Sequence, residues 1–337
     1  MATIKDVAVK AGVSTTTVSY VLTGKRYVSE PLTRKVRKAL QDLGYSPNNL
    51  ARSLRSGKTD TIGLIIPDSS NAFFAEISRR IEDIGFKKGY SVFLCNSDDD
   101  PQKQQVYLQS LIAKQVDGLI FISACHDPEL FEQIKSAGIP FVILDRHENG
   151  PTTNAVITDN VYGAEAATQY LASLGHKKIA CIAGPQNVVS SNERIRGYKE
   201  GLSAAGLEFN PDYLLHGDFR FHSGFMAMQN LMKLTSPPTA VFVCNDMMAV
   251  GAIRLVHLAN QRVPEDFSII GFDNSQIAEV VTPALTTIAQ PIDQIAQSAM
   301  DLLFEQITHS SEKAAEIRIL QPKLVIRGTC QKIPGGD

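Results

Sequence analysis

The sequence predicts a small all-α, helix-turn-helix head and an α/β core of two doubly wound parallel-sheet lobes. Two short amphipathic helix patterns meet near Gly12, which predicts the head. From Thr61 onward, short apolar runs alternate with helical stretches, and this alternation restarts near Ala155, which predicts two lobes. Charge also divides unevenly along the chain, as expected if the head and the core have different partners.

The charge asymmetry indicates that the head binds a polyanion. Residues 1–60 carry 11 Lys and Arg against 4 Asp and Glu, whereas the remaining chain carries 22 against 31. A chain of 337 residues also exceeds the usual length of one domain.

The sequence shows no signal for export or for a membrane. It has no run of about 18 uncharged apolar residues, and its N-terminus has no secretory h-region. The five cysteines are scattered without a C-x-x-C pair, which predicts neither a disulfide framework nor a zinc site. We therefore expect a cytoplasmic protein that has no membrane partner.

The first two helices form a predicted helix-turn-helix. Thr3 can cap a helix that begins at Ile4 and ends at Gly12, and Ser14 can cap a second helix that ends at Gly24. In this motif the second helix enters the major groove and presents its first side chains to base edges. The exposed polar candidates on it are Thr15, Thr16, Thr17 and Ser19.

A third helix is predicted from a Ser29 cap, with Pro31 in its first turn, to Gly44. Its apolar positions would complete a three-helix core. The opposite face is basic and suits phosphate contacts, although a merely solvated charged face is the alternative. Its basic residues are Arg34, Lys35, Arg37 and Lys38.

The segment TIKDVAVKAGVSTTTVSYVLTG and its continuation to residue 59 closely resemble the DNA-binding region of the lactose-repressor and galactose-repressor family of bacterial regulators. The resemblance implies that Thr15 and Thr16 contact bases and that Ser14 and Ser19 contact phosphates. Tyr20 stands where an arginine is common, and a phenol cannot make the forked contact of a guanidinium to guanine, so we expect a different half-site. The predicted DNA-binding set of the head is Thr3, Ser14, Thr15, Thr16, Thr17, Ser19 and Tyr20.

YSPNNLARSLRSG resembles the hinge helix of the same family, which folds in the minor groove of bound DNA. Leu54 matches the apolar wedge that unstacks a base step and bends the duplex. The alternative is a plain linker with one packed leucine. The other predicted contacts are Asn48, Ala51 and Arg52.

The core sequence alternates between strand-like and helical patterns in two series. TIGLIIP, YSVFLCNS, VDGLIFIS and PFVILDR form the first series, and AVITDN, KIACIAG, AVFVCND, FSIIGFD and TTIAQP form the second. We predict a head at 1–46, a hinge at 47–58 and a core at 59–337. The first lobe of the core is predicted to span about 61–160 plus 290–320, and the second lobe about 161–289 plus 321–330.

Polar or aromatic residues follow nearly every strand-like run. Ligands of parallel sheets bind beyond the C-terminal strand ends. A sugar presents hydroxyls and C–H faces, which suit a set of forked donors, carboxylates, amides and aromatic faces. Each of these residues taken alone could instead be a helix cap or part of the core. The candidates are Asn71, Phe73, Phe74, Asp145, Arg146, Arg194, Asn245, Asp246, Phe272, Asp273 and Gln290.

The core resembles the effector-binding core of the same family and the periplasmic sugar-binding proteins, especially those for ribose. The resemblance adds Phe219 and, more weakly, Ser123 to the effector set. It implies a homodimeric repressor that binds near-palindromic operator DNA and is controlled by a pentose, hexose or sugar acid. A purine co-repressor and a sugar-binding protein without DNA affinity are the alternatives.

The sequence does not give the direction of the effector's action, although release of DNA by a sugar inducer is favoured. The tail lacks a leucine heptad, which favours a dimer over a tetramer. The sequence contains no phosphate-binding loop, no nucleophile elbow and no H-E-x-x-H motif, and its histidines are scattered. We therefore predict no catalytic residue, no metal site and no cofactor.

Overall fold

The computed structural model describes residues 2–24, 26–45, 57–122, 128–145, 153–308 and 314–333. The chain divides into two units, Met1–Thr59 and Asp60–Asp337. We call the first the head and the second the core.

The head contains three helices, α1 (Ile4–Ala11), α2 (Thr15–Thr23) and α3 (Glu30–Asp42). Thr3 and Asp6 form a capping box at the start of α1. Ser29 lies at the predicted cap of α3, but its side chain makes no capping hydrogen bond. The three helices bury a small apolar centre, which includes Val7, Val18 and Val36.

The first lobe of the core is a parallel sheet in the order β11-β5-β4-β3-β1-β2. Two of its elements, α12 and β11, come from late in the chain. Its strands are β1 (Thr61–Ile66), β2 (Ser91–Asn96), β3 (Gly118–Phe121), β4 (Phe141–Leu144), β5 (Ala155–Thr158) and β11 (Ile317–Leu320). Its helices are α4 (Ala72–Lys87), α5 (Pro101–Ala113), α6 (Pro128–Ser136) and α12 (Ile292–Thr308).

The second lobe repeats this arrangement in the order β12-β10-β9-β8-β6-β7, with one departure, because β12 is antiparallel to β10. Its strands are β6 (Ile179–Ala183), β7 (Leu214–His216), β8 (Ala240–Val243), β9 (Ser268–Asp273), β10 (Thr286–Ala289) and β12 (Lys323–Val325). Its helices are α7 (Asn160–Ser173), α8 (Val189–Ala204), α9 (Phe221–Met232), α10 (Asp246–Leu258) and α11 (Ile277–Val280), with a 3-10 turn at Pro211–Tyr213.

Burial explains the continuous apolar runs of the sequence. All five residues of β6 and all six of β9 are buried, as expected for strands covered by helices on both faces. The prediction of two doubly wound lobes is therefore confirmed. Within the described ranges, no helix is both long and apolar enough to cross a membrane.

The chain passes between the lobes at three points, which follow β5, β10 and β11. Hydrogen bonds join these crossings. The Thr158 hydroxyl donates to Gln290 Oε1 at 2.7 Å, and the Asp159 N–H donates to the Leu320 carbonyl at 2.9 Å. The C-terminal ends of β5 and β10 are thereby held together, next to the residues described below.

Candidate functional sites

The start of α2 presents the predicted base-contacting residues of the head. Ser14 caps the helix, because its Oγ accepts from the Thr17 N–H at 3.1 Å and bonds the Thr17 hydroxyl at 2.9 Å. Thr15 and Thr16 lie exposed on the same first turn. Ser14 and Thr17 thus fix the helix start, whereas Thr15 and Thr16 face outward from it.

Thr3 is engaged at the start of α1. Its N–H and hydroxyl donate to Asp6 Oδ2 at 2.7 and 2.8 Å, and its Oγ1 accepts from the Asp6 N–H at 3.3 Å. These bonds, the Thr3 N–H first, lower the pKa of the exposed Asp6 carboxyl. The contact of Thr3 with DNA stays a prediction.

Tyr20 is half-buried near the end of α2, and the guanidinium carbon of Arg26 lies 5.6 Å from its ring centroid. The basic residues of α3 are exposed, as predicted. The predicted hinge contacts, which lie outside the described residues, are Asn48, Ala51, Arg52 and Leu54.

In the core, Arg194 of α8 is held by contacts from several elements. Its Nε donates to Asn160 Oδ1 at 2.9 Å, and its Nη1 donates to the Cys244 carbonyl at 2.6 Å. Its guanidinium carbon lies 3.8 Å from the Phe272 ring centroid. With 4% of its surface exposed, the side chain is fixed in orientation.

Asp273 and Gln290 join Arg194 at the ends of β9 and β10. Asp273 Oδ1 accepts from Gln290 Nε2 at 2.8 Å and lies 3.8 Å from Arg194 Nη1. Burial raises the pKa of Asp273, and the positive charge of Arg194 opposes this rise. Nearby carboxylates, including that of Asp145 in the first lobe, raise the pKa of Asp273 further. Residues from both lobes therefore meet at this point.

Two further residues, Asn160 and Glu193, belong to this group and were not among the residues predicted from the sequence. Glu193 is partly buried, and its Oε2 accepts from Asn160 Nδ2 at 2.9 Å. Burial raises the pKa of Glu193, the Asn160 bond opposes this, and the Asp145 charge raises it further. Asn160 follows the apolar run AVI, so the strand-end rule used for the other candidates could have found it. We call Asp145, Asn160, Glu193, Arg194, Asp273 and Gln290 the cleft cluster.

The structure places Asp246 and Phe272 inside the second lobe, where neither is exposed. The Asp246 carboxylate accepts from the Thr287 hydroxyl at 2.6 Å and from the Ser275 N–H and hydroxyl at 2.7 and 3.0 Å. Phe272 packs beneath Arg194. Both residues lie next to members of the cleft cluster, Phe272 against Arg194 and Asp246 near Asp273, and their contact with a ligand stays a prediction.

Asn245 and Phe219 are adjacent in the second lobe. Asn245 Oδ1 accepts from the Met248 N–H at 2.9 Å and caps α10, while its Nδ2 donates to the Phe219 carbonyl at 2.8 Å. Phe219 has a φ of 65°, in the left-handed region, so this bond helps to fix an unfavourable backbone conformation. Asn245 thus positions the loop that carries the Phe219 ring.

The remaining candidates belong to the first lobe. Asn71 caps α4 by accepting from the Phe73 N–H at 3.0 Å. Phe73 and Phe74 are buried, with ring centroids 5.3 Å apart. Ser123 and Arg146 lie outside the described residues.

Comparisons with known proteins match both units of the chain. Residues 3–48 match a model described as bacterial regulatory proteins, lacI family, and residues 59–327 match one described as periplasmic binding proteins and sugar binding domain of LacI family. The chain is 40% identical over 330 residues to the ribose operon repressor of Escherichia coli K12, covering 98% of this chain and 100% of that protein. It is 39% identical over 336 residues to the HTH-type transcriptional repressor PurR of Aliivibrio salmonicida, covering 99% and 100%.

Solved structures agree with these matches. The lac repressor dimer bound to operator and the anti-inducer ONPF is similar with a TM-score of 0.87 and 29% identity, covering 98% of this chain and 99% of that one. A LacI family transcriptional regulator from Enterococcus faecium with bound ribose gives a TM-score of 0.74 and 34% identity, covering 81% and 99%.

Proposed function

The chain belongs to the lacI family of bacterial regulatory proteins, and from this premise we propose that it is a DNA-binding transcriptional repressor controlled by a sugar held at the cleft cluster. The head supplies the DNA contacts, with Thr15, Thr16 and Tyr20 facing bases. The core supplies the effector site and the contacts of a homodimer. No chemical step is required of any residue.

The cleft cluster is the observation that carries the effector proposal. A sugar hydroxyl both donates and accepts hydrogen bonds, and the cluster offers amides, carboxylates and a forked guanidinium at one place. Three of its members are acidic (Asp145, Glu193 and Asp273), and Arg194 already faces Asp273. This charge balance favours a neutral sugar over a sugar acid.

The start of α8 supports an oxygen-rich ligand. Val188 supplies no side-chain cap to this helix. Ser191, in the first turn, is fully buried, and within the described residues its Oγ has no hydrogen-bond partner. Buried polar atoms normally have a partner, and a ligand hydroxyl would provide one.

The homodimer is supported by exposed apolar residues on the first lobe. β2 is an edge strand, and it exposes Phe93 and Leu94 by 43% and 45%. Phe86 before it and Val106 after it are also exposed. Covering such residues with a second copy would remove apolar surface from water, and two heads would then match two half-sites of a near-palindromic operator.

The effector proposal is tested by thermal unfolding with pentoses, hexoses, aldonic acids, ketodeoxy acids and purines. A ligand present at 100 times its dissociation constant should stabilise the protein by about 2.7 kcal/mol. We expect a neutral sugar to give the largest shift, and ribose is the first candidate, because the chain is similar to a ribose operon repressor and to a regulator solved with bound ribose. A shift given by purines alone, or by none of these compounds, would refute a sugar effector.

The regulatory proposal is tested by footprinting on DNA upstream of the gene, with and without the stabilising sugar. Protection of one near-palindromic site that weakens with the sugar is the expected result. Removal of residues 1–60 should abolish protection and leave sugar binding intact. Equal protection of all sequences would contradict the proposal.

A further inference from the structure

The turn that follows β9 holds one residue of the cleft cluster in a strained backbone conformation. Asp273, the last residue of β9, has a φ of 114°, and Asn274 has a φ of 56°. Residues other than glycine rarely adopt such positive values, and they keep them only where surrounding contacts impose them. Because the Asp273 carboxylate bonds Gln290 and faces Arg194, the contacts that impose this turn also place a side chain of the cleft cluster.

Arg327, which lies just after β12, holds this turn through its guanidinium. Its Nη2 donates to Asn274 Oδ1 at 2.7 Å, and its Nη1 donates to the Leu285 carbonyl at 2.9 Å. Nη2 also donates to Glu279 Oε1 at 3.1 Å, but the Glu279 side chain is exposed. Since the guanidinium is planar and rigid, its two ends fix Asn274 relative to the backbone that leads into β10.

Arg327 is itself held in place by its backbone. Its N–H donates to the Thr286 hydroxyl at 2.9 Å, and the next N–H, that of Gly328, donates to the Ala284 carbonyl at 2.8 Å. Only 16% of the Arg327 side chain is exposed. Arg327 is therefore fixed at both its backbone and its guanidinium, unlike the mobile arginines of a protein surface.

The two residues after Asp273 are held by different partners. Ser275 is fixed by Asp246, which accepts from the Ser275 N–H at 2.7 Å and from its hydroxyl at 3.0 Å. Asn274, between them, is held through its side chain by Arg327. The left-handed conformation of Asn274 therefore depends on Arg327.

We propose that Arg327 is a positioning residue for sugar binding, which holds Asn274 in its left-handed conformation and so keeps the Asp273 carboxylate directed into the cleft cluster. This inference rests on the proposed function, because it requires a sugar at the cleft cluster. Without the Arg327 bond, the turn relaxes in the ligand-free protein. A sugar then has to restore the turn on binding, and its affinity falls by the corresponding factor.

The test is isothermal titration calorimetry of the full-length protein with ribose. Arg327→Met keeps a long side chain without donors and should weaken ribose binding by roughly 5- to 150-fold, the factor that the strain of one left-handed residue corresponds to. Asn274→Ala removes the same hydrogen bond from the other side. Its loss should fall in the same range.

A glycine at position 274 separates this role from a general loss of structure. Glycine adopts a left-handed conformation without strain, so Asn274→Gly should bind ribose within about 5-fold of wild type although the bond to Arg327 is lost. Adding Arg327→Met to Asn274→Gly should then weaken binding by only about 2-fold. A residue that merely stabilised the second lobe would weaken ribose binding equally in both backgrounds.

Glu279→Gln is the matched control, because it weakens the other, exposed contact of the same Arg327 nitrogen. It should bind ribose within about 2-fold of wild type. Circular dichroism spectra and thermal unfolding show whether each variant has folded. If Arg327→Met does not fold, the comparison of Asn274→Ala with Asn274→Gly provides the test.

Two results would overturn the inference. One is ribose affinity equal to that of wild type in both Arg327→Met and Asn274→Ala. The other is a loss from Arg327→Met that is as large in the Asn274→Gly background as in wild type, because Arg327 would then act through other contacts. Failure of wild type itself to bind any sugar would refute the proposed function, and this result is distinct from wild-type binding that the variants leave unchanged.

Discussion

The side chain of Arg194 is held in one orientation by contacts within the protein. Its Nε and Nη1 donors are satisfied by Asn160 and the Cys244 carbonyl, and its flat face lies on Phe272. Because these partners come from three separate segments of the second lobe, the guanidinium cannot rotate without breaking several contacts. A sugar would therefore meet a rigid donor and lose little affinity to the ordering of this side chain.

Replacement of Arg194 by lysine should weaken sugar binding without unfolding the lobe. Arg194→Lys keeps a positive charge beside Asp273 but loses the planar fork, so ribose should bind about 10- to 100-fold more weakly, as expected for loss of a charged hydrogen bond. Isothermal titration calorimetry measures this change. Arg196→Lys is the matched control, because Arg196 is an exposed residue of the same helix that pairs with Glu200. Equal affinities for wild type and Arg194→Lys would remove Arg194 from the site.

Asp246 should make the stability of the second lobe depend on pH. Burial raises the pKa of Asp246, and the hydrogen bonds from Thr287 and Ser275 lower it. Burial is the larger effect, so the pKa is raised to about 6. The folded state thus holds this proton more tightly than the unfolded state does. The resulting stabilisation is fully present below pH of about 4 and is lost as pH rises through about 6.

Asp246→Asn removes this ionisation, so wild type should lose thermal stability relative to the variant as pH rises from about 4 to about 6. The difference should be on the order of 1–3 kcal/mol. Thermal unfolding at several pH values measures it, with Asp98→Asn, an exposed aspartate of the first lobe, as the control. A difference between Asp246→Asn and wild type that stays constant with pH would refute this assignment.

Helices and strands were more predictable than the contacts between them. Caps, terminal glycines and apolar periodicity predict α1, α2 and α3, and the strand-end rule finds Asp145, Asp273 and Gln290. These signals are local, since each depends on neighbours in the sequence.

The direction of a side chain at a strand end is not a local property. The sequence gives Asp246 and Asp273 the same pattern, but Asp246 turns inward to Thr287 and Ser275. Glu193 accepts a hydrogen bond from Asn160, which lies 33 positions away in the sequence, because α7 packs on α8. Such pairings arise only when the helices are assembled.

The packing of α7 on α8 depends on a glycine. A Cβ at Gly197 would lie 2.2 Å from the Val161 carbonyl oxygen, a backbone atom that cannot move independently. Gly197→Ala should therefore separate the two helices and break the bond of Arg194 to Asn160. We expect a loss of about 1–3 kcal/mol of stability together with weaker ribose binding.

Gly85→Ala in α4 is the matched control. Its new Cβ would lie 3.2 Å from a Val92 methyl group, the end of a side chain, so alanine's better helix propensity should offset the contact. Thermal unfolding and calorimetry of both variants test the prediction. Unchanged stability and ribose affinity in Gly197→Ala would show that the helices can move apart without cost.

Polar contacts also bridge the two lobes at the edge of the cleft. Arg220 Nη2, before α9 in the second lobe, lies 3.5 Å from Asp68 Oδ2, after β1 in the first. The Gln276 N–H of the second lobe donates to Glu76 Oε1 of α4 at 3.1 Å. Because these contacts join the two lobes directly, they favour an arrangement in which the cleft is closed and so influence the affinity for a sugar that binds between the lobes.

Breaking the ion pair should weaken ribose binding even though Arg220 lies outside the cleft cluster. Arg220 is 68% exposed, and such surface pairs contribute little, so Arg220→Gln should reduce affinity only about 1.5- to 5-fold. Adding Glu76→Ala should reduce it further, because the second bridge is then lost. The difference between wild type and Arg220→Gln should shrink as salt rises from 0.05 to 0.5 M, since salt screens exposed charges.

Arg262→Gln is the matched control for this change, because Arg262 forms an exposed pair with Asp266 within the second lobe alone. It should leave ribose affinity unchanged. Calorimetry gives the affinities, and small-angle X-ray scattering of the ligand-free proteins should show a larger radius of gyration for the double variant than for wild type. If Arg220→Gln binds ribose as wild type does at low salt, the ion pair does not contribute to closure, and the lobes are held by their other contacts, which include the Gln276–Glu76 and Thr158–Gln290 hydrogen bonds.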